Sequence, residues 1–300
     1  MQEQNNFAVE FAGVTKKYGT FKAADDVRLQ LEPNKIYGLL GRNGAGKTTL
    51  LNILSARLFA TSGQTTVFGQ SPYENIDILK QICLVEEKGF YGPTFTVRQV
   101  LRLAAGMYPT WDEAYAARLL DIFELDKKKK FKQLSRGMES SLGLIIGLAS
   151  RAPLTIFDEP SLGLDAVIRE RFYDEVLNDF MEHPRTIIIS THLIDEVSRL
   201  FEDVIIVDSG KVLLKSNATD LREKAFFLSG QEEAVRKAAN GAIVMSEEHF
   251  GGTLIQSVFA KNGMQPAPGV DIQPMPMQKL FVHLINHNIH DALRKGGVLQ

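Results

Sequence analysis

Short apolar runs alternate with longer amphipathic stretches along this chain, and that rhythm predicts most of its elements. FAVEFAGV, 7–14, alternates imperfectly and VRLQLE, 27–32, alternates cleanly; both read as strands. KIYGLLG, 35–41, is apolar without a polar face, as a strand covered on both sides would be, and it runs into a glycine-rich loop. KTTLLNILSARL, 47–58, then has apolar residues at helical spacing, and 65–68 and 82–85 are short strand candidates. From 95 to 150 the pattern becomes helical, with amphipathic stretches TVRQVLRLAAGMY, DEAYAARLLDIFEL and 137–150. Strand character resumes at LTIF, 154–157, at TIIIS, 186–190, and across DVIIVDSGKVLLK, 203–215, which turns at Ser209-Gly210; helices are expected at 165–182 and 193–201.

The character changes near residue 220. Beyond it the pattern predicts a strand at 225–229, a helix at 231–239, strands at 242–246 and 253–260, a Pro-rich link at 265–275 and a helix at 277–286. The expected organisation is a main domain over 1–220, with a helical subdomain at about 90–150, and a small α+β appendage over 221–300. KKKK, 127–130, reads as a solvated loop between helices.

Composition narrows the function classes. An apolar fraction of 44% suits a soluble globular chain with a real core. The net charge of −2 argues against a protein that coats nucleic acid, and none is expected as a partner. The single cysteine, Cys83, excludes a disulfide framework and reads as apolar filler. MQEQNNF has no apolar stretch of the kind a signal peptide needs. The longest apolar run, LGLIIGLA at 142–149, falls far short of the ~18 residues of a membrane span. A cytosolic chain is expected, with any membrane role carried by a partner.

Two motifs carry chemistry. GRNGAGKT, 41–48, fits G-x-x-x-x-G-K-[ST] and sits between an apolar strand and a helix. There the backbone N–H groups close around phosphates at a helix N-terminus, Lys47 reaches the β- and γ-phosphates, and the Thr48 hydroxyl is offered to Mg²⁺. Asp158-Glu159 ends the strand LTIF, at the carboxyl edge where parallel sheets bind ligands. Asp158 is placed to hold Mg²⁺, and Glu159 to polarise the water that attacks the γ-phosphate.

With these motifs in order, the chain resembles the ATP-binding cassette subunits of ABC transporters over residues 7 to about 215. The resemblance implies an α/β P-loop NTPase core of RecA-like mixed sheet, with an antiparallel β subdomain and a helical insert. In KKYG, Tyr18 matches the aromatic that stacks on adenine. GRNGAGKTT matches the phosphate loop, so Gly41, Asn43, Gly44, Ala45, Gly46, Lys47, Thr48 and Thr49 are expected to bind ATP. SLGLD, 161–165, matches the loop that runs between subunits, and His192 in STHL matches the switch histidine that contacts the γ-phosphate. LSRGM, 134–138, falls at the family's LSGGQ-type signature, where one cassette caps the ATP of a second. Ser135 and the Gly137 N–H retain the donors; Arg136 replaces a glycine and reads as a tolerated variation, and Met138 replaces a Gln.

A second departure comes after ICLV, 82–85, where the family carries a Gln that contacts Mg²⁺ and the attacking water; here the chain reads Glu86-Glu87, with Glu87 the better match. One reading puts the Glu87 carboxylate at Mg²⁺, altering metal affinity or hydrolysis; the other leaves both Glu residues solvated. Phe90, Tyr91 and Phe95 either form the groove that docks a short helix of the membrane subunit or belong to the core of the insert.

The resemblance therefore implies an ATPase, using ATP and Mg²⁺, that drives separate membrane-spanning transporter subunits. It would act with a second cassette, identical or related, on the inner face of the cell membrane. MPMQKLFVHLI, 275–285, looks like the closing segment of export-type subunits. The alternative is a soluble ABC ATPase acting in translation or DNA repair. Relatives of that kind commonly carry two cassettes or a long coiled coil, and neither is visible here. For 221–300 a regulatory ligand site, a dimer contact and a plain stabilising appendage all remain open.

Overall fold

The computed structural model describes residues 7–86 and 92–286, the side chain of Glu196 excepted. In chain order the strands are β1 (Val9–Tyr18), β2 (Phe21–Leu31), β3 (Ile36–Leu40), β4 (Ser62–Val67), β5 (Ile82–Val85), β6 (Leu154–Asp158), β7 (Thr186–Thr191), β8 (Asp203–Asp208), β9 (Lys211–Asn217), β10 (Ala225–Gly230), β11 (Ile243–Phe250), β12 (Thr253–Phe259) and β13 (Val270–Pro274). The helices are α1 (Lys47–Leu54), α2 (Ile76–Leu79), α3 (Val97–Met107), α4 (Glu113–Ile122), α5 (Arg136–Ser150), α6 (Ala166–Glu182), α7 (Ile194–Val197), α8 (Ala218–Arg222), α9 (Glu232–Ala238) and α10 (Met277–Leu284). They pack as two units: residues up to His192 with Val207–Val212, and Leu193–Ile206 with Leu213 onward.

In the first unit, β5, β6, β7 and β3 lie side by side in that order, all parallel. Every residue of β3, β6 and β7 is buried, which explains runs with no polar face. Helix α5 packs on β5 and β6, and α6 sets Phe172 edge-on to Phe157 with ring centroids 5.2 Å apart. Gly147 is what lets α5 come so close: a Cβ there would lie 2.4 Å from the Phe157 ring. The register matters most. Leu40 pairs with Thr191 and Asp158 with Ser190, so β3, β6 and β7 end together, and the loops beyond them share one edge. A second sheet, β2-β1-β4, is antiparallel.

Most predicted elements are present, with instructive differences. Helix α1 stops at Leu54 rather than 58, because the chain turns left-handed at Ala56 (φ 56°) and the Arg57 and Leu58 N–H groups both return to the Asn52 carbonyl. The helix expected at 193–201 is the short α7 followed by a 3₁₀ turn at Ser198–Leu200. KKKK is more than a solvated loop: the carbonyls of Lys127 and Lys129 accept from Arg98 and Val97 N–H, satisfying orphan donors at the start of α3.

In the second unit, β11-β12-β10-β13 form an antiparallel sheet, with Leu228, Val235, Ala239, Leu254 and Val258 as its core. The link expected at 265–275 contains β13, paired with β10 through Leu228 and Ile272. The flanking prolines hid the alternation of Val270 and Ile272, and an edge strand tolerates Pro274 at its end.

A buried charge cluster ties the helices of the first unit together. Asp179, with a side chain 1% exposed, accepts from Arg185 Nη1 at 2.6 Å and from Arg151 Nε at 3.2 Å. Arg151 also pairs with Asp112 at the start of α4. Removing one partner of such a set leaves buried charge uncompensated. We expect Asp179→Ala to cost about 3 kcal/mol or more, read as a lowered urea midpoint; an unchanged midpoint would show the cluster to be dispensable.

Candidate functional site

The shared edge of β3, β6 and β7 holds the charged residues that the sequence singles out. After Leu40 the chain turns through Gly41 and doubles back into α1. Gly44 (φ 81°) and Gly46 (φ 107°) both lie in the left-handed region, and a Cβ on Gly46 would stand 2.2 Å from the Ala23 carbonyl oxygen. The loop is braced by the Gly210 N–H, which donates to Ala45 O at 2.9 Å. Lys47, 6% exposed, folds back beneath it and donates to Gly41 O at 2.8 Å.

Opposite stands the acidic pair. Asp158 Oδ2 accepts from the Thr48 hydroxyl at 2.7 Å, while its Oδ1 is buried with no partner. The Glu159 backbone is left-handed (φ 51°), a costly conformation for a non-glycine, and its N–H is anchored to Ser190 O at 2.9 Å. Its carboxylate bridges two elements. Oε2 lies 2.8 Å from His192 Nδ1 and Oε1 3.5 Å from Lys47 Nζ. Buried oxygens without a hydrogen bond gather on this edge, namely Asp158 Oδ1, Glu159 Oε1, Ser161 Oγ and Ser190 Oγ. Native interiors leave few such atoms, and they mark where a ligand completes the bonding.

A cavity of about 600 Å³ opens above these groups. Asn43, Gly44, Ala45, Gly46, Lys47, Thr48, Thr49, Glu159 and His192 line it, with Tyr18 at its rim, 52% exposed. Gly41 joins the site through its carbonyl's bond to Lys47 rather than as a lining residue. The sequence reading missed Phe21, Arg42 and Leu162, which also line the cavity. Phe21, 61% exposed three residues after Tyr18, was legible as an outward aromatic across the tight turn at Gly19; Leu162 carries no signal of its own. The orphaned Asp158 Oδ1 beside the Thr48 hydroxyl suits a hard divalent cation. Among the described residues no group of three His, Cys, Asp or Glu side chains could hold a metal by itself. Such a cation would draw its remaining ligands from phosphate oxygens and water.

The glycine-rich loop, Glu159 and His192 line one cavity, and the chain that carries them has relatives among known proteins. A family model described as ABC transporter matches residues 24–162. The chain is 33% identical over 251 residues to the bacitracin transport ATP-binding protein BcrA of Bacillus licheniformis, covering 81% of this chain and 79% of that one. The chain belongs to the ABC transporter ATP-binding proteins. It is 27% identical to the ABC transporter ATP-binding protein YtrB of Bacillus subtilis (strain 168), over 72% of this chain and 74% of the relative. Two solved structures share the fold. One, an ATP binding subunit of an ABC transporter, has TM-score 0.65 at 24% identity, covering 72% of this chain and 92% of that one. The other, a dimeric ATP-binding cassette in a post-hydrolysis state with ADP and Pi, has TM-score 0.61 at 23% identity, covering 70% of this chain and 98% of that one. The chain is thus an ATPase subunit of an ABC transporter; its relatives do not favour the soluble, non-transport alternative. No described helix is long and apolar enough to cross a membrane.

In the turn that matches the family's signature, neither Ser135 nor Gly137 lines this cavity. Ser135 caps α5, its hydroxyl accepting from Met138 N–H at 3.3 Å. The turn is fastened to 161–165. Ser140 Oγ donates to Leu162 O at 2.9 Å, and a Cβ on Gly137 would lie 2.8 Å from Gly163 O. Arg136 lays its side chain over Gly163, with Cγ 2.9 Å from where a Cβ there would stand. Glu86 is ion-paired with Arg57. Glu87, Phe90 and Tyr91 lie outside the described residues, and Phe95 is 39% exposed.

The phosphate loop leaves no room at Gly46. Gly46→Ala is expected to weaken binding of a fluorescent ATP analogue roughly tenfold or more, from ~1–3 kcal/mol of backbone strain. An unchanged dissociation constant in a fluorescence titration would remove this glycine from the cradle.

Proposed function

We propose that ATP occupies the cavity at the carboxyl edge of β3, β6 and β7 and is hydrolysed there. The phosphates lie against the backbone of Gly41, Asn43, Gly44, Ala45 and Gly46, with Lys47 and Thr49 on their oxygens and the adenine against Tyr18. The Thr48 hydroxyl and Asp158 hold Mg²⁺, which screens phosphate charge when bound. Glu159 takes a proton from the attacking water, and His192 orients Glu159 and meets the γ-phosphate. The observation that carries this reading is Glu159 itself: strained, its side chain only 13% exposed, 2.8 Å from His192 Nδ1 and 3.5 Å from Lys47 Nζ. A carboxylate held that way keeps its geometry while its charge faces the place where the γ-phosphate is cut.

Cassette subunits of this family dimerise and work with membrane subunits. Here the pairing is head to tail, identical or with a related subunit, so that Ser135 and Gly137 of one cassette complete the ATP site of the other. The position of the signature turn outside its own cavity supports this. The dimer works at the cytoplasmic face of the membrane and drives separate spanning subunits. Export is the favoured direction, because relatives carry the names bacitracin transport and Nod factor export. Residues 221–300 form an accessory domain of the same subunit.

Glu159→Gln keeps the shape of the site and removes its base. Steady-state turnover is expected to fall about 10²-fold or more, and ATP is expected to trap a dimer on size-exclusion chromatography. A monomer at saturating ATP, or undiminished turnover, would sink the reading.

A further inference from the structure

The chain carries a net charge of −2, yet two of its segments run strongly the other way. FTVRQVLRLAAGM, 95–107, and KKKKFKQ, 127–133, hold two arginines and five lysines and no aspartate or glutamate. The fold of the first unit lays these segments side by side. Lys129 O accepts from the Val97 N–H at 2.9 Å, Lys127 O from the Arg98 N–H at 3.0 Å and Phe95 O from the Phe131 N–H at 2.8 Å. Arg98, Arg102, Lys127, Lys128, Lys130 and Lys132 are exposed. The first three stand around one cavity of about 470 Å³, whose walls include Leu101, Ala116 and Leu120. None of the three makes an ion pair among the described residues. Glu113 also lines this cavity, but its carboxylate is engaged by Trp111 Nε1 at 2.8 Å, and Asp126, next to the lysines in the chain, accepts from the Lys128 N–H at 2.9 Å. On α3 itself Leu103 and Met107 lie one turn apart, 53% and 62% exposed. Cations gathered without acid partners build a positive local potential, and large apolar side chains on the same helix give such a face something to bury.

We propose that this face of the helical insert docks directly on an anionic lipid bilayer. Its arginines and lysines meet the headgroup phosphates, and Leu103 and Met107 enter the interfacial layer. The reading above brings the subunit to the membrane through the spanning subunits; this contact belongs to the chain itself and does not depend on the ATP site. Charge selects the occupant. A broad field of like charge suits a surface of many phosphates, where each cation strengthens binding and salt weakens it.

The test is co-sedimentation of the full chain with vesicles of phosphatidylcholine alone and of phosphatidylcholine mixed with phosphatidylglycerol, at low and high salt. The patch variant combines Arg98→Gln, Arg102→Gln and Lys127→Gln. A second pairs Leu103→Ser with Met107→Ser. A control with the same change in net charge combines Lys80→Gln, Lys237→Gln and Lys261→Gln, all exposed. We expect binding to the anionic vesicles alone, weakened by salt. The patch variant is expected to lower it about tenfold or more and the Leu103–Met107 pair about threefold, with the control unchanged. ATPase turnover without vesicles is expected to stay at the parent level in each variant, showing that the fold holds. Should the patch variant fail to fold, Arg102→Gln and the Leu103–Met107 pair still decide. Equal binding to both vesicles, no binding to either, or a control that loses as much as the patch variant would overturn the proposal and leave the ATP site reading standing. Polyglutamate that binds more tightly than the vesicles, and loses that binding in the patch variant, would assign the face to an acidic protein segment and overturn it too.

Discussion

Lys47 is a cation placed where water barely reaches, and much of the first unit is arranged around that fact. Burying an ammonium costs several kcal/mol unless polar groups replace its hydration. The Gly41 carbonyl supplies one such group and the Glu159 carboxylate another. Each is available only because β3 and β6 stop at the same height, flanking β7, whose own end delivers His192 to the far side of Glu159. A slip of one residue in any of these strands would turn its side chains to the other face and separate the charges. The parallel register is thus an electrostatic requirement as much as a packing one.

That logic accounts for what the sequence made legible. β3, β6 and β7 announce themselves as short, mainly apolar runs, and the residues brought to the shared edge sit at or just beyond their ends, at Gly41, Asp158 and His192. Covalent neighbourhood and function coincide there. Where function is assembled from elements far apart in the chain, no pattern shows it. Leu162 looks like any loop leucine, and its place at the cavity comes from how the chain turns after Glu159. Strand β13 was masked by prolines whose effect is local, while the pairing that makes it a strand comes from β10, well before it in the chain. The lysines of 127–130 signal charge, yet their structural contribution is made by backbone carbonyls that any residue would supply. The 193–201 helix reads well by periodicity but breaks after α7, where the C-terminal unit takes hold of it.

Arg136 shows how a departure from a family's pattern becomes intelligible only in three dimensions. Read along the chain, it replaces a small residue in a turn that should present backbone donors. In the fold its aliphatic stem covers Gly163, whose missing side chain makes the space. Gly163 is itself left-handed (φ 83°), so the turn at 161–165 needs glycine there for its backbone as well as for the arginine. Ser140 adds a second fastening, its hydroxyl shared between the Arg136 and Leu162 carbonyls at 3.1 and 2.9 Å. The signature turn and the loop beyond Glu159 are consequently one packed piece rather than two independent loops. Glu159 precedes that loop in the chain and its Oε2 lies 2.8 Å from His192 Nδ1, so the segment fastened to the 135–140 turn leads along the backbone to the carboxylate. A larger side chain is accommodated at Arg136 because the glycine at 163 leaves the room that its stem fills.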